Sequence, residues 1–356
     1  MPAADRLLSW IPLGSALRAA RDPTGRRRVL TAAWASSTLG GYGAGVLRYL
    51  LWCEQHHLPT QARFPASVAT IVDFIDAVAG AYSGGTIRNW ISGIRAWHII
   101  HGASLNTLHP RVATSLRGAD RLTPASSIRP ARAPFTLDHL RTIRSRLDIA
   151  SPFDSAVLAC LLTAFRGLAR LGELTVSSRG AFDARRNPTR ASLTWEMVHG
   201  STPVTFSGLL TLPWTKTSPR GERIVITPQA DAPCAVQAIR HHLVVNQPPP
   251  GAHLFAYRSQ GRFVPLTRSA FLHRVQAALR AANVGAVDLQ GHGLRIGGCT
   301  TLLLRGVPID AVRLHGRWSS DSWRLYLRRH VELIAPLLMT PRPDIAEQLS
   351  NLSSTM

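Results

Sequence analysis

Lysine is nearly absent from this basic chain. The 356 residues carry 41 basic side chains, and Lys216 is the single lysine among them. Arginine stays protonated in proteins, whereas an ammonium group can give up a proton when its surroundings lower its pKa. Lys216 is therefore either an accident of composition or a position where a guanidinium group cannot replace an amine.

Cysteine is also scarce, and its spacing excludes two kinds of site. Cys53, Cys160, Cys234 and Cys299 form no Cys-x-x-Cys pair, which argues against a zinc cluster and against a disulfide framework. We expect all four to be small buried apolar groups. The sequence offers no metal-ligand cluster, and we expect neither a metal nor another cofactor.

Long apolar runs and targeting segments are lacking as well. The most apolar stretch, residues 153–169, is interrupted by Asp154, Ser155, Thr163 and Arg166, whereas a membrane span needs about 18 apolar residues. The N-terminus has no charged-then-apolar signal segment. We expect an intracellular protein without a membrane partner, in the nucleus if the host is eukaryotic and otherwise in the cytoplasm.

The charge of the chain indicates a polyanionic partner. The formal net charge is +21 and the pI is near 11.5. The arginines are spread through the whole chain instead of along one amphipathic stripe, which favours nucleic acid over a membrane surface.

Helical periodicity fills the first third of the chain. Helices are predicted over 39–57, 66–79, 83–101 and 111–117. Arg88 and Arg95, seven residues apart, share one face of the third helix and are the candidate DNA-binding residues. Residues 31–120 are thus predicted to form a compact helical DNA-binding domain, preceded by a flexible basic arm over residues 1–30.

The remaining chain predicts a second, mixed domain. Residues 121–134 contain three prolines and no hydrophobic period, which predicts a linker. Residues 135–335 begin with helices, continue with strand-like runs at 191–198, 209–214 and 223–227, and return to helices. Lys216 lies in the turn between the last two runs, on the rim of a predicted hairpin. Residues 336–356 form a C-terminal tail, and the fold class is mainly α with a small antiparallel sheet.

Three segments of the second domain concentrate unusual residues. Arg170 and Glu173 lie three residues apart at the end of a long apolar helix. His292 and Arg295, also three apart, lie at a predicted helix start, where backbone N–H groups and the helix dipole favour an anion. Tyr326 follows on a predicted helix among arginines. Taken alone, each segment also has an ordinary explanation. Arg170 and Glu173 would be a structural ion pair, His292 a buried histidine, and Tyr326 a tyrosine on an amphipathic helix.

In this order the segments resemble the tyrosine recombinase (phage integrase) family. Its pattern is Arg-x-x-Glu-Leu, a hairpin lysine, His-x-Leu-Arg, Gly-His or a tryptophan variant, and a nucleophilic tyrosine. The matching positions are Arg170, Lys216, His292, Arg295 and Tyr326. The helical segment is similar to the family's core-binding domain, so the resemblance spans about residues 31–335. The Gly-Arg-Trp-Ser-Ser sequence looks most like recombinases of eukaryotic mobile elements of the Crypton and DIRS type.

One position departs from the family pattern. The second histidine of the common form would fall at Arg317, nine residues before Tyr326. Arg317 could supply the phosphate contact, Trp318 could pack against the tyrosine helix, or His315 could reach the site from one turn away. We favour Trp318, in a packing and hydrogen-bonding role, with Arg317, His315 and Glu173 as supporting residues.

The resemblance implies a DNA recombinase or integrase. In the implied reaction Tyr326 forms a covalent 3′-phosphotyrosine, Arg170 and Arg295 clamp the nonbridging phosphate oxygens, and His292 assists. Lys216 would protonate the leaving 5′-hydroxyl. No ATP and no metal would be needed.

The implied partners are double-stranded DNA and further copies of the chain. Strand exchange between two duplexes requires a homo-tetramer at synapsis, assembled from monomers or dimers. Two alternatives remain open: a type IB topoisomerase-like enzyme, and a non-catalytic DNA-binding regulator derived from a recombinase.

Overall fold

The chain divides into two compact units. The computed structural model describes residues 2–10, 12, 29–128, 134–198, 200, 204–230, 233–284, 291–320 and 323–324. The units are Met1–Ala131 and Arg132–Met356, and the division falls within the predicted linker, 121–134. Within the described ranges, no helix combines the length and the apolar character that a membrane span requires.

The first unit is helical. Its helices are α1 Arg6–Ser9, α2 Ser36–Gln55, α3 Thr60–Arg63, α4 Val68–Val78, α5 Gly84–Ile100 and α6 Pro110–Arg121. The α4 and α5 helices begin after serine caps, because the side chains of Ser67 and Ser83 accept hydrogen bonds from the amides of Thr70 and Thr86. The four helices that the sequence predicts are all present, as α2, α4, α5 and α6.

Two glycines let helices α2 and α5 approach each other closely. A Cβ atom at Gly45 would lie 2.6 Å from the Cα atom of Trp90, and one at Gly93 would lie 2.5 Å from the carbonyl oxygen of Tyr42. Larger residues at either position would force the helices apart. This contact fixes the part of α5 that carries Arg88 and Arg95.

Residues 2–10 are packed, contrary to the flexible basic arm predicted over residues 1–30. Leu7 is fully buried, and His101 Nε2 lies 2.8 Å from its carbonyl oxygen. The indole N–H of Trp97 donates to the carbonyl oxygen of Trp10 at 2.9 Å. The prediction is wrong for this stretch because its apolar side chains join the core of the helical unit. The basic part of the predicted arm, which includes Arg26, Arg27 and Arg28, lies outside the described residues.

The second unit contains helices and two small sheets. Its elements are α7 Leu137–Ser145, α8 Pro152–Arg166, α9 Leu171–Leu174, β1 Leu193–Val198, β2 Thr205–Leu212, β3 Glu222–Ile226, α10 Ala235–Asn246, β4 Tyr257–Ser259, β5 Arg262–Val264, α11 Arg268–Arg280, α12 His292–Leu304 and α13 Ile309–Gly316. The strands form an antiparallel sheet in the order β1-β2-β3 and a separate β4–β5 hairpin.

The strands differ from their predicted limits for local reasons. The predicted run 191–198 starts later, at Leu193, because Arg190–Ser192 form a 3₁₀ turn. The predicted run 209–214 is displaced to Thr205–Leu212, since Pro213 has no N–H with which to continue the ladder. The β4–β5 hairpin is missing from the prediction because three-residue strands show no usable alternation.

Helix α8 is the centre of the second unit. Every residue from Asp154 to Arg166 is buried, which is typical of a helix surrounded by other elements. Helix α12 packs closely against it, because a Cβ atom at Gly298 would lie 2.1 Å from the carbonyl oxygen of Phe165. The inner face of the sheet, including Leu210 and Ile224, joins the same core. The C-terminal end of α8 and the start of α12 are thereby fixed, and both carry candidate site residues.

The four cysteines are buried, as predicted. Burial raises the pKa of the Cys299 thiol to about 11, so this side chain stays protonated and packs as a small apolar group. Within the ranges given above, no three His, Cys, Asp or Glu side chains are grouped so that they could hold a metal ion.

Candidate active site

Arg170 lies between helices α8 and α9, where Glu173 holds it. The Arg170 amide donates to Glu173 Oε2 at 2.9 Å, and Arg170 Nη1 donates to Glu173 Oε1 at 2.8 Å. The Arg170 side chain is 31% exposed, whereas that of Glu173 is 7% exposed. Glu173 therefore fixes one edge of the guanidinium group and leaves another part accessible to an anion.

A second arginine shares the same carboxylate. Arg317 Nη2 donates to Glu173 Oε2 at 2.8 Å, and both side chains are 7% exposed. Arg317 Nε lies 3.6 Å from Glu222 Oε2. Arg317 follows helix α13 in the left-handed conformation, with φ of 59°. The residue at the expected second-histidine position thus lies between two carboxylates.

Arg295 is the most deeply buried of the candidate residues. On helix α12 it is fully buried, and its Nη2 atom donates to the carbonyl oxygen of Gly316. Its Cζ atom lies 4.6 Å from the centroid of the Trp318 ring, within cation–π range. Gly316 is required here, because a Cβ atom would lie 1.9 Å from Trp318 Cζ3. The turn after α13 therefore fixes Arg295 from two sides.

Trp318 has a packing role. It is 9% exposed and lies in a small apolar cluster with Leu168, Ile296, Cys299 and Val312. Trp323 packs against this cluster. The sequence also predicts that Trp318 contacts the tyrosine helix. That contact falls outside the described residues, because Tyr326 is not among them.

His315 is held at the end of helix α8. Its Nε2 atom lies 2.8 Å from the carbonyl oxygen of Arg166. Burial lowers the pKa of His315, and the cations Arg317 and Arg295 lower it further, against the opposing effect of the Arg166 hydrogen bond. The ring is therefore neutral near pH 7, and its Nε2–H donates to the carbonyl.

His292 is the first residue of helix α12, where the sequence predicts a helix start. The preceding residue, Gly291, has φ of 76°, which only glycine adopts readily. A Cβ atom at Gly291 would lie 2.8 Å from the Cβ atom of Leu171. The start of α12 therefore packs directly on the residue that follows Arg170, so the backbone N–H groups of this helix start lie near this arginine.

Lys216 lies in the connection between strands β2 and β3, on the rim of a hairpin as predicted, and it is exposed. The connection is anchored beside it: the Thr215 amide donates to Ser218 O at 3.0 Å, and the Ser218 amide donates to Thr215 Oγ1 at 3.0 Å. Thr215 itself is fully buried. The lysine is thus presented to solvent from a structured turn.

Two contributions to the site were missed by the sequence analysis. One is Glu222, which lies beside Arg317, and the other is the main-chain carbonyl of Arg166. The sequence did contain a signal for Glu222. Acidic side chains are few in this chain, 20 against 41 basic ones, and this glutamate begins an apolar strand next to the Lys216 turn. No sequence signal marks a main-chain carbonyl.

Comparison with solved structures identifies the fold. XerH site-specific recombinase, in a post-cleavage complex with palindromic difH substrate, has a TM-score of 0.56 at 11% identity, over 95% of this chain and 94% of that chain. XerH in a pre-cleavage complex with difH substrate has a TM-score of 0.50 at 12% identity, over 89% and 85%. The chain has the tyrosine recombinase fold.

A transposon integrase is similar with a lower TM-score. The Tn1549 transposon integrase in complex with circular intermediate DNA has a TM-score of 0.46 at 13% identity, over 83% of this chain and 98% of that chain. No protein family model matches the chain, and no curated protein matches it in sequence. The tyrosine recombinase fold confirms the predicted fold class, mainly helical with a small antiparallel sheet.

Within the tyrosine recombinase fold, six of the described candidate residues fall into three local groups. Direct contacts join Arg170, Glu173 and Arg317. A second set of contacts joins Arg295 to the turn containing Trp318. Lys216 lies on a hairpin whose next strand begins with Glu222, the second acidic neighbour of Arg317.

Proposed function

We propose that this protein is a site-specific DNA recombinase or integrase that breaks and rejoins strands through a covalent 3′-phosphotyrosine intermediate on Tyr326. The observation that carries the proposal is the placement of Arg170 beside the start of α12 in a chain with the tyrosine recombinase fold. An accessible guanidinium group and a helix start together form a site suited to a phosphate.

The reaction assigns a part to each group. The Tyr326 hydroxyl oxygen attacks phosphorus in line, and the bond to the 5′ oxygen breaks. Arg170 and Arg295 stabilise the charge that grows on the nonbridging oxygens. His292, at the first position of α12, assists by hydrogen bonding or proton transfer.

Lys216 supplies the proton for the leaving 5′ oxygen. An alkoxide is a poor leaving group, so a proton donor on this oxygen lowers the barrier. The exposed position of Lys216 on an anchored turn allows it to meet a DNA strand. An arginine could not serve here because it does not release its proton.

Arg295 needs a local rearrangement before it can bind a phosphate. It is fully buried and already donates to Gly316, whereas the Arg170 side chain is 31% exposed. DNA binding would therefore have to displace the cover of Arg295. Arg170 makes the first phosphate contact in this scheme.

The assembly and the energetics follow from this chemistry. The phosphotyrosyl bond conserves the energy of the broken phosphodiester, so a 5′-hydroxyl reseals the strand without ATP or a metal. Exchange between two duplexes requires four active sites and hence a synaptic tetramer.

The Gly-Arg-Trp-Ser-Ser sequence at 316–320 supports a mobile-element recombinase of the Crypton or DIRS type.

A suicide-substrate assay tests the proposal. The full-length protein is incubated with nicked duplexes of candidate target DNA, from which the short strand carrying the 5′-hydroxyl diffuses away after cleavage. A covalent protein–DNA adduct that survives denaturation is expected, and phosphotyrosine mapping should locate it at residue 326.

The outcomes also separate the two alternative functions. Tight DNA binding without an adduct on any duplex would identify a non-catalytic DNA-binding regulator. Relaxation of supercoiled plasmid without exchange between two duplexes would identify a topoisomerase-like enzyme.

A further inference from the structure

A chain of alternating charges crosses the candidate site. Arg170 pairs with Glu173, Glu173 pairs with Arg317 at 2.8 Å, and Arg317 Nε lies 3.6 Å from Glu222 Oε2. The side chains of Glu173, Arg317 and Glu222 are shielded from solvent, being 7%, 7% and 19% exposed. One end of this charge chain is Arg170 itself, and the other end is the strand that leaves the Lys216 turn.

We propose that Arg317 is a positioning residue that couples the Arg170 phosphate contact to the hairpin carrying Lys216. This inference rests on the proposed recombinase function. Nε and Nη2 of Arg317 face the carboxylates of Glu222 and Glu173. The contact with Glu222 is an ion pair and not a hydrogen bond, since Nε and Nη1 of Arg317 are both buried without a hydrogen-bond partner among the described residues. A direct phosphate contact is therefore the competing role.

Arg317 can couple the two parts of the site because it balances the charges of Glu173 and Glu222 where solvent is largely excluded. Glu173 Oε1 accepts from the guanidinium group of Arg170, whereas Oε2 accepts from the guanidinium group of Arg317 and from the Arg170 amide. Without Arg317, Glu173 would attract Arg170 more strongly and hold its guanidinium group away from a phosphate, since ion pairs strengthen where solvent is excluded. Glu222 would also lose its counter-ion, and the start of β3 would lose its link to the turn after α13.

The test uses single-turnover cleavage at saturating DNA with two nicked duplexes. One has an ordinary scissile phosphodiester, and the other has sulfur at the 5′ bridging position, which leaves without a proton. The variants are Arg317→Met, Glu222→Gln and Glu173→Gln. The matched control is Arg141→Met, which removes an exposed arginine paired with Asp138 at 2.8 Å on helix α7.

The variants should differ in their cleavage rates on the two substrates. Glu222→Gln should slow cleavage of ordinary DNA, by up to about 100-fold if Lys216 is misplaced by ~1 Å, and the sulfur substrate should restore the rate. Glu173→Gln should be slow on both substrates, because it disturbs Arg170. Arg317→Met should be slow on both and recover in part with sulfur, whereas Arg141→Met should match the wild type.

Two kinetic results would overturn the inference. One is wild-type cleavage of ordinary DNA by Glu222→Gln, a variant that retains Arg317 and therefore decides the question even if Arg317→Met does not fold. The other is recovery of Arg317→Met on a duplex with a neutral methylphosphonate at the scissile position. That recovery would show that Arg317 had neutralised the phosphate directly.

Thermal unfolding separates this inference from the proposed function. Arg317→Met should lower the Tm by about 6–20 °C, as expected for a broken buried ion pair in a unit of this size. The same change in a Glu222→Gln background should lower it less, because one uncompensated charge is already removed. If the Tm shifts of the two substitutions are not additive but the wild-type protein forms no covalent adduct, the recombinase function is contradicted and the coupling is not. If the wild-type protein forms the adduct but the Tm shifts are additive, the coupling is contradicted and the recombinase function is not.

Discussion

The guanidinium group of Arg295 lies over the ring of Trp318, with 4.6 Å between Cζ and the ring centroid. The same guanidinium group donates to the carbonyl of Gly316, two residues before the tryptophan. One turn of chain therefore provides both a main-chain acceptor and a ring for this arginine. The tryptophan at this position acts as a platform that orients Arg295.

Trp318→Leu should slow DNA cleavage more than Trp318→Phe. A phenyl ring retains part of the cation–π contact, worth about 0.5–2 kcal/mol, or ~2-fold to 30-fold in rate. Leucine removes it and also leaves a void in the apolar cluster. Cleavage is measured in single turnover at saturating DNA, after calorimetry has shown that each variant is folded.

A matched control is available in the same unit. Arg240 Cζ lies 4.8 Å from the ring centroid of Trp195, on a strand that carries none of the candidate residues. Trp195→Phe should leave the cleavage rate unchanged. Equal losses in the Trp195 and Trp318 variants would indicate a general effect on folding and contradict the platform role.

Tyr326→Phe should abolish the covalent adduct and leave DNA affinity almost unchanged. The substitution removes one oxygen atom, the nucleophile, from a residue that is not needed to bind the DNA backbone. The measurement is denaturing electrophoresis after incubation with a nicked duplex, next to a binding titration of the same protein. Tyr257→Phe is the control, because Tyr257 is half-buried and packs against Phe153 at 5.0 Å. An adduct formed by Tyr326→Phe but not by Tyr257→Phe would move the nucleophile to Tyr257.

Lys216→Arg should bind DNA normally and cleave it slowly. The charge is preserved while the transferable proton is lost, which costs ~100-fold to 10,000-fold when general acid catalysis is removed. A duplex with a 5′ bridging sulfur should restore the rate, and it should not restore Arg170→Lys. Arg220→Lys, an exposed change in the same connection, serves as the control. Wild-type cleavage by Lys216→Arg would mean that the single lysine is an accident of composition.

Arg95 is expected to contribute one phosphate contact in the helical unit. Arg95 and Arg88 line a cavity of about 280 Å³ together with Trp34 and Tyr42, and Arg88 is already paired with Asp120. Arg95→Gln should reduce the slope of log affinity against log salt concentration by about 0.9. Arg141→Gln, in the other unit, should leave the slope unchanged. A slope equal to that of the wild type would exclude Arg95 from the DNA interface.

Acid should destabilise both units. Burial lowers the pKa of His98 in the first unit and of His242 in the second to about 4, whereas an unfolded histidine titrates near pH 6.5. As the pH falls from 6.5 to 4, the unfolded chain takes up protons that the folded chain does not. Each histidine then costs up to about 3 kcal/mol of stability, and the loss is absent above pH 7.

Calorimetry between pH 7 and pH 4 measures this loss. His242→Gln should reduce the pH dependence of the second unit by about one proton, relative to a control change at the exposed His57. An unfolding temperature that does not fall between pH 7 and pH 5 would contradict the prediction.

Local chemistry determined much of the fold in advance. The spacing of apolar residues predicts helices α2, α4, α5, α7 and α8, because one-sided burial imposes a period that can be read along the chain. Polarity and β-branched residues place the hairpin that presents Lys216. The order of the motifs, taken with the family resemblance, also predicts the tyrosine recombinase fold, which is independent of how any one side chain is paired.

Tertiary structure alone decided which charges meet. Arg317 is separated by 144 residues from Glu173, and local periodicity carries no information about such a pair. The same holds for Leu7, whose burial against the helical unit overturns the predicted arm, and for the carbonyl of Arg166 that receives His315. Burial makes these contacts important, since an unpaired charge is costly only where water is excluded, and burial is a property of the packed chain.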